Sequence, residues 1–369
     1  MKFEEFELSP EILSGLTAMN FTEASPIQEQ AIPVILSGKD LVGQAQTGTG
    51  KTAAFGIPVL EKMSTTNRFT ETLVLCPTRE LAVQITEELR KIARFKKLQI
   101  VALYGGQNIE SQFRLLNRGA NLIVATPGRL IDHLKRGSVR LNQIKTLVLD
   151  EVDEMLNIGF KKELDEIFDR LPQEHRQTIF FSATISERIM SMAMKYQDNP
   201  KLVKVESTQE TSPNIEQFYL EVKERAKLDT LKSILEQHKI NFSLIFCNTK
   251  VKVDELVEHL NFAGYYARGL HGDMRQSHRD RVMQSFRKGQ VQILVATDIA
   301  ARGIDVSLEA VINYDFPQAP EHYTHRIGRT GRAGRLGKAF TFVGASQIGK
   351  LNIIKRLTKA TIKREQVSI

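Results

Sequence analysis

Cysteine is nearly absent: two in 369 residues, too few for a disulfide framework. Cys76 and Cys247 lie far apart inside the apolar runs TLVLCPT and SLIFCNT, and read as buried free thiols, not as a bridge or a metal site. No apolar run approaches the ~18 residues of a membrane span. The start, MKFEEFELSP, has no apolar stretch behind a basic end, so no signal peptide is expected. No fixed-period repeat is visible, so any duplication is one of shape and not of sequence. These absences argue against a secreted disulfide scaffold, a membrane-spanning chain and a solenoid. They predict a reducing, cytoplasmic setting.

What is present is ordinary for a soluble globular protein, with 41% hydrophobic and 25% charged residues. Lys and Arg number 51 against 43 Asp and Glu, a formal charge of +8 that favours a polyanionic partner. The length suggests more than one domain. Short Val-, Ile- and Leu-rich runs alternate with longer helix-like stretches. They are DLVGQ, TLVLC, QIVALY, NLIVAT, TLVLD and TIFFSAT in the first half, then SLIFCNT, QILVATD, AVINYD and AFTFV after residue 214. Runs buried on both faces predict parallel sheets covered by helices. The polar, turn-forming VESTQETSPNIEQ separates the two sets. The expected organisation is α/β, with one domain over 1–206, a linker at 207–213 and a second domain over 214–369.

Residues 45–52, AQTGTGKT, stand between DLVGQ and the helix-like AAFGIPVLEKM. Gly48 and Gly50 let the backbone wrap a triphosphate with its N–H groups inward, and the helix N-terminus adds positive potential. Lys51 neutralises the outer phosphates and the Thr52 hydroxyl can ligate Mg²⁺. Gln46, Thr47 and Thr49 complete the loop, and Ala45 stands where the pattern usually begins with glycine. Downstream, TLVLDEVDEML runs an apolar segment into Asp150 and Glu151, with Asp153 beyond. In phosphate-loop enzymes a second strand ends in an Asp that holds Mg²⁺, which makes Asp150 and Thr52 the candidate metal ligands. Glu151 is placed to orient or deprotonate a water attacking the γ-phosphate. Val152 has no donor or acceptor, and its effect is expected to be confined to packing.

With DEVD beside SAT (182–184), the chain resembles the DEAD-box RNA helicases of superfamily 2, from about residue 6 to 345. The resemblance implies two tandem RecA-like domains, ATP hydrolysis stimulated by RNA, and local unwinding of short duplexes or remodelling of RNA–protein complexes. Phe21 and SPIQ (25–28) resemble the Q motif, in which Gln28 reads the adenine edge and Phe21 stacks on it, implying ATP. PTREL (77–81), Gly105-Gly106 and TPGRL (126–130) resemble the strand-gripping motifs of the first domain. IFCNT (245–249), LHGDM (270–274), QSHR (276–279), ATDIAARGIDV (296–306) and HRIGRTGRAGR (325–335) match the second domain in order.

The RNA contacts so implied are Pro77, Thr78, Arg79, Gly105, Gly106, Thr126, Pro127, Gly128 and Arg129, then Thr249, Gly272, Asp273, Arg279 and Thr297. Backbone N–H groups, Thr hydroxyls and an occasional Arg suit phosphates and sugars, not base edges. Weak sequence preference follows, with the 2′-hydroxyl left to discriminate against DNA. By resemblance Arg329 and Arg332 are arginine fingers, three apart so that a helical turn would put them on one face. Gly303 and Asp305 belong to the nucleotide contacts, Asp305 at the ribose or the fingers. Asp153, Ser182, Thr184 and His325 would couple the ATP site to the interdomain face. The chain departs from the family at Asn20, at Ala24-Ser25 and at Val152, where Gly, Pro-Thr and Ala are usual. The basic stretch KLNIIKRLTKATIKRE reads as helix-like. The expected cofactors are ATP and Mg²⁺, and the expected partner of a monomeric core is RNA. An ATP-gated RNA clamp and a DNA helicase are the competing readings.

Overall fold

The computed structural model describes residues 1–45, 48–67, 69–205, 214–301, 304, 306, 308–331, 336–358 and 360–366. Gln46, Thr47, the linker 207–213, Gly303, Asp305 and Arg332 lie outside these described residues. The chain divides into two compact units, Met1–Glu206 and Ser207–Ile369.

Among the described residues each unit holds a seven-stranded parallel sheet. The first is built from β1 Leu41–Gln44, β2 Thr72–Leu75, β3 Ile100–Leu103, β4 Leu122–Ala125, β5 Thr146–Leu149, β6 Gln177–Ser182 and β7 Lys201–Lys204, in the order β3-β4-β2-β5-β6-β1-β7. The second is built from β8 Ile215–Glu221, β9 Ser243–Phe246, β10 Ala267–Leu270, β11 Ile293–Ala296, β12 Ala310–Asn313, β13 Gly337–Val343 and β14 Ile362–Arg364. Its order, β10-β11-β9-β12-β13-β8-β14, repeats the first strand for strand. This is the tandem RecA-like α/β arrangement.

The inner strands TLVL, LIVA and SLIF are buried along their whole length, because helices cover both faces and leave no polar side to alternate with. Alternation survives in the packing. In the first unit Val74, Val148 and Phe181 join one core with Phe55 and Leu89. Leu73, Leu75, Leu147, Leu149 and Phe180 join another with Ile167 and Phe168. Parallel pairing puts every strand's C-terminal end on the same side. The segments following β1, β2, β3, β4, β5 and β6 are those at 45–52, 76–79, 104–107, 126–129, 150–153 and 183–184. Ligand sites of open α/β sheets form at such ends.

Two stretches differ from expectation. The helix-like EMLNIGFKKELDEIF is cut into Val152–Ile158 and Lys161–Phe168, because Gly159 at φ +99° caps the first piece in the left-handed region. The basic stretch is helical over Ile348–Thr358 and then forms β14 against β8, where Ile362 buries itself with Ile215 and Leu351. Among the described residues no helix is long and apolar enough to cross a membrane.

Candidate nucleotide site and nucleic-acid grip

At the end of β1, buried Ala45 donates its N–H to the Ser182 carbonyl (3.0 Å), tying the phosphate loop to β6. Gly48 and Gly50 adopt φ +84° and +87°, the left-handed region open to glycine at no steric cost, and the helix Lys51–Lys62 starts directly after. A Cβ at Gly50 would collide with the Gln28 amide. That amide donates to the Gly50 carbonyl (3.1 Å) and accepts from Ser25 N–H (2.8 Å), while Ser25 Oγ donates to the Thr49 carbonyl (2.8 Å). The SPIQ segment is thus bonded to the phosphate loop, and the Gln28 side chain still has a second N–H and a second lone pair to offer. Phe21 is half-buried and stacked on Phe3, with centroids 6.3 Å apart. Asn20 sits at φ +57°, a conformation asparagine tolerates, which accounts for its use where glycine is usual.

Lys51 is buried with its Nζ 3.8 Å from Asp150 Oδ1, and among the described residues that Nζ has no hydrogen-bond partner. A buried ammonium with one carboxylate at that distance and no hydrogen bond is costly, and an anionic oxygen is the kind of group that would offset the cost. Burial pushes the Asp150 carboxyl up to about 6; Lys51 pulls it back and Glu151 adds to the rise. Glu151 is buried at φ +53°, and its N–H donates to Asp150 Oδ1 (2.9 Å). A non-glycine residue in that region is strained, a feature found where function fixes a side chain. Among the described residues no group of three His, Cys, Asp or Glu side chains could hold a metal alone. One buried carboxylate and a half-buried threonine, Thr52, are still oxygen donors of the kind that suits Mg²⁺, an ion that takes waters and phosphate oxygens as its other ligands. Val152 is fully buried in the core with Leu149 and Phe180. Asp153 Oδ2 accepts from Ala183 N–H (3.2 Å), Thr184 N–H (3.1 Å) and Thr184 Oγ1 (3.3 Å), and Ser182 Oγ donates to the Thr184 carbonyl (2.7 Å).

The three segments expected to contact RNA in the first unit also meet. Thr78 caps the helix Arg79–Ile92 by accepting from Leu81 N–H (3.3 Å), with buried Pro77 before it. The Arg79 guanidinium lies against Gly105, where an added Cβ would stand 3.4 Å from Nη2. Gly106 is exposed at φ +84°. Thr126 precedes the helix Pro127–Lys135, whose Gly128 faces open space. Arg129 Nη1 and Nη2 both donate to the Gln107 carbonyl (3.1 Å each). Two residues absent from the sequence expectations complete this cluster. Gln112 accepts from Arg129 Nη1 (3.1 Å), and His133 bonds to Gln112 (2.9 Å). A single Gln and a single His on amphipathic helices give no signal by themselves.

In the second unit Thr249 caps the helix Lys250–Phe262 through Lys252 N–H (3.3 Å), and Lys250 is ion-paired with Asp273 beside the exposed Gly272. Thr297 N–H donates to the Leu270 carbonyl (3.3 Å). Arg279 is buried in the helix Gln276–Arg287, and His325 is half-buried in the helix Pro320–Ile327. Arg329 lies just past the helix, on a turn closed by its own N–H to the Arg326 carbonyl (3.1 Å). The helix ends at Ile327 with Gly328 as its cap, Thr330 bridges to Leu308, and Arg329 Nη1 donates to the Ile304 carbonyl (3.4 Å). Arg326, also absent from the expectations, is fully buried. It grips Asp298 through Nε (2.6 Å) and Nη2 (2.7 Å), with Asn313, Asn248 and the Asp315 carbonyl as further acceptors. Cys76 and Cys247 are buried and free, and burial pushes both thiols up.

Comparison with known proteins agrees with this geometry. The DEAD/DEAH box helicase family matches residues 25–192 and the helicase conserved C-terminal domain matches 226–334. The chain is 50% identical over 363 residues to the DEAD-box ATP-dependent RNA helicase CshA of Geobacillus kaustophilus, spanning 98% of this chain and 78% of that protein. It is 48% identical to CshA of Bacillus subtilis, over 98% of this chain and 73% of that one. Among solved structures, S. cerevisiae Dbp5 bound to RNA and ADP BeF3 superposes with a TM-score of 0.89 at 33% identity, covering 99% of this chain and 95% of that one. A glycine loop bonded to the SPIQ segment, acids at the end of β5 and two helicase domain matches in tandem have one reading: the chain belongs to the DEAD-box family of ATP-dependent RNA helicases.

Proposed function

We propose that this protein binds ATP and single-stranded RNA, hydrolyses ATP with RNA stimulation, and uses the cycle to separate short RNA duplexes or remodel RNA–protein complexes. The observation that carries the proposal is the pairing, in one unit, of a buried Lys51 lacking a hydrogen-bond partner among the described residues with a polar cluster built from Arg79, Gly105 and Arg129. In this reading DEVD is the family's motif of acids. Asp150 and Thr52 hold Mg²⁺, which neutralises phosphate charge when bound. Lys51 binds the outer phosphates, and Glu151 orients the attacking water and takes its proton. Arg329 of the second unit offers positive charge to the transition state, an effect on the order of 10³–10⁵ in rate for arginine fingers. Asp153, bonded to the SAT segment, links the nucleotide to the rest of the first unit. RNA is held through its sugar–phosphate backbone by a monomeric core of two domains, 1–206 and 214–369, working in the cytoplasm.

The test is ATPase measured with RNA and with DNA, alongside strand displacement of a short RNA duplex, for the wild type and Glu151→Gln. RNA-stimulated turnover, ATP-dependent displacement and a loss of about 10²–10⁴-fold in Glu151→Gln are expected. Tight ATP-dependent RNA binding without displacement would instead establish a clamp, and equal stimulation by DNA would remove the RNA assignment.

A further inference from the structure

We propose that Gln112 and His133 are positioning residues of the RNA grip, a buried polar pair that locks Arg129 and the loop 104–107 into one geometry. The inference rests on the function proposed above. Both side chains are 0% exposed. Gln112 Nε2 donates to the Tyr104 carbonyl (3.0 Å) and to Gln107 Oε1 (2.9 Å). Its Oε1 accepts from Arg129 Nη1 (3.1 Å) and lies 2.9 Å from His133 Nε2. The amide therefore uses both of its N–H groups and both lone pairs, two on the loop, one on the arginine and one on the histidine.

The chemistry of each partner fixes the others. A guanidinium only donates, so Arg129 forces the oxygen end of the Gln112 amide toward itself. His133 Nε2 meets that same oxygen and must carry the proton. His133 Nδ1 is then an acceptor, and the single proton of Ser138 Oγ turns to it at 2.8 Å in preference to the His133 carbonyl at 3.1 Å. Burial, and next to it the charge of Arg129, lower the His133 pKa to about 4, so the ring is neutral at physiological pH, as this arrangement requires. Phe113 packs edge-on against the ring, with centroids 5.3 Å apart, and holds its plane.

Stability alone does not call for such a set. Replacing a fully bonded buried polar group and its partners by apolar groups of the same shape is close to neutral. What the pair adds is order in a glycine-containing loop and in a long arginine side chain, both of which would otherwise lose entropy on meeting RNA. Preorganising them favours RNA binding and leaves the ATP chemistry alone.

The experiment titrates single-stranded RNA into the ATPase assay with the full chain. Gln112→Met and His133→Leu are expected to raise the half-saturating RNA concentration about tenfold, with turnover at saturating RNA within about threefold of wild type. His133→Gln, which can keep a donor near the Nε2 position, is expected to stay within about threefold of wild type in RNA requirement. Thermal melting establishes that each variant is folded; should Gln112→Met fail to fold, Gln112→Glu, which keeps the acceptor but loses both donors to the loop, takes its place and is expected to be intermediate. An unchanged RNA requirement in a folded Gln112 variant overturns the proposal, as does a His133→Gln as weak as His133→Leu. Imidazole ¹⁵N shifts of wild-type His133 supply a readout independent of RNA: a neutral Nε2–H tautomer is expected and an Nδ1–H tautomer overturns it. Absence of RNA stimulation in the wild type would remove the function itself, whatever the tautomer.

Discussion

Lys51 and Lys227 occupy the same place in two sheets of the same strand order. Each is the first residue of the α-helix that follows its sheet's first strand, β1 or β8. An acid comes from the end of the corresponding fifth strand: Asp150 just after β5, Asp315 two residues beyond β12. In the first unit the pair stands 3.8 Å apart and the lysine lacks a hydrogen bond among the described residues. In the second the pair is closed: Lys227 reaches Asp315 Oδ1 at 2.9 Å, Lys252 reaches the same oxygen at 2.9 Å, and Glu224 bonds Lys227 at 2.9 Å. Burial works against the charge of Asp315, yet the bonds from Asn248 N–H and the two lysines hold its carboxyl below the usual range. The glycine loop is replaced by Val222–Ala226, which folds into a short 3-10 turn. One scaffold therefore carries an open site and a self-neutralised one. A buried lysine that lacks a hydrogen bond is costly unless a further anion meets it, whereas the Lys227 cluster is already neutralised by its own side chains.

Exchanging the lysines tests this comparison most severely. Lys51→Ala should lower RNA-stimulated ATP turnover by at least about 10²-fold. Lys227→Ala should leave turnover within about threefold and instead destabilise the protein by about 1–3 kcal/mol, read in denaturant melts. Equal losses of turnover would break the comparison. Next in size is Arg326→Leu, which strands Asp298 and should cost about 3–5 kcal/mol; adding Asp298→Leu should recover part of that loss, since the unpaired charge goes too. If the single variant melts like wild type, the second unit does not spend its buried charge on structure.

Acid should act on the first unit through His133. The unfolded chain takes up a proton near 6.5 that the folded one refuses until about 4. The unfolded state thus binds more protons in that window, so stability is full above it and falls as the pH drops through it. At pH 5 the loss is about 2 kcal/mol, and His133→Gln should abolish this part of the pH dependence in urea titrations. The smallest effect belongs to Val152→Ala. Removing two buried methyl groups should cost roughly 1–2 kcal/mol of stability. Turnover should change less than tenfold, and a larger change would give Val152 a part in the chemistry beside its neighbours.

The inner strands are legible in the sequence alone, because burial on both faces leaves unbroken runs such as TLVL and LIVA. The strands β7, β10 and β14 are not: KLVK, ARGL and IKR lie at sheet edges, where one neighbour suffices and polar residues are tolerated. β8, IEQFYLE, mixes buried, half-buried and exposed positions and carries no such run. The same division holds for the sites. The phosphate loop and the acids of DEVD are legible because their chemistry demands particular residue types at short spacing. Gln112, His133 and Arg326 are silent because each acquires its role from partners distant in sequence.

Sequence by itself determined two α/β units, a glycine loop that can wrap phosphates, and acids delivered at a strand end, all consequences of local periodicity and local spacing. Only the tertiary structure decided that Lys51 stays open while Lys227 is closed, that Arg326 is a buried strut and Arg329 lies past its helix, and that Gln112 and His133 hold Arg129 in place. Each of these depends on a distance of a few ångströms between segments far apart along the chain. Hydrogen bonding and desolvation are decided at that range, and spacing along a sequence does not encode it.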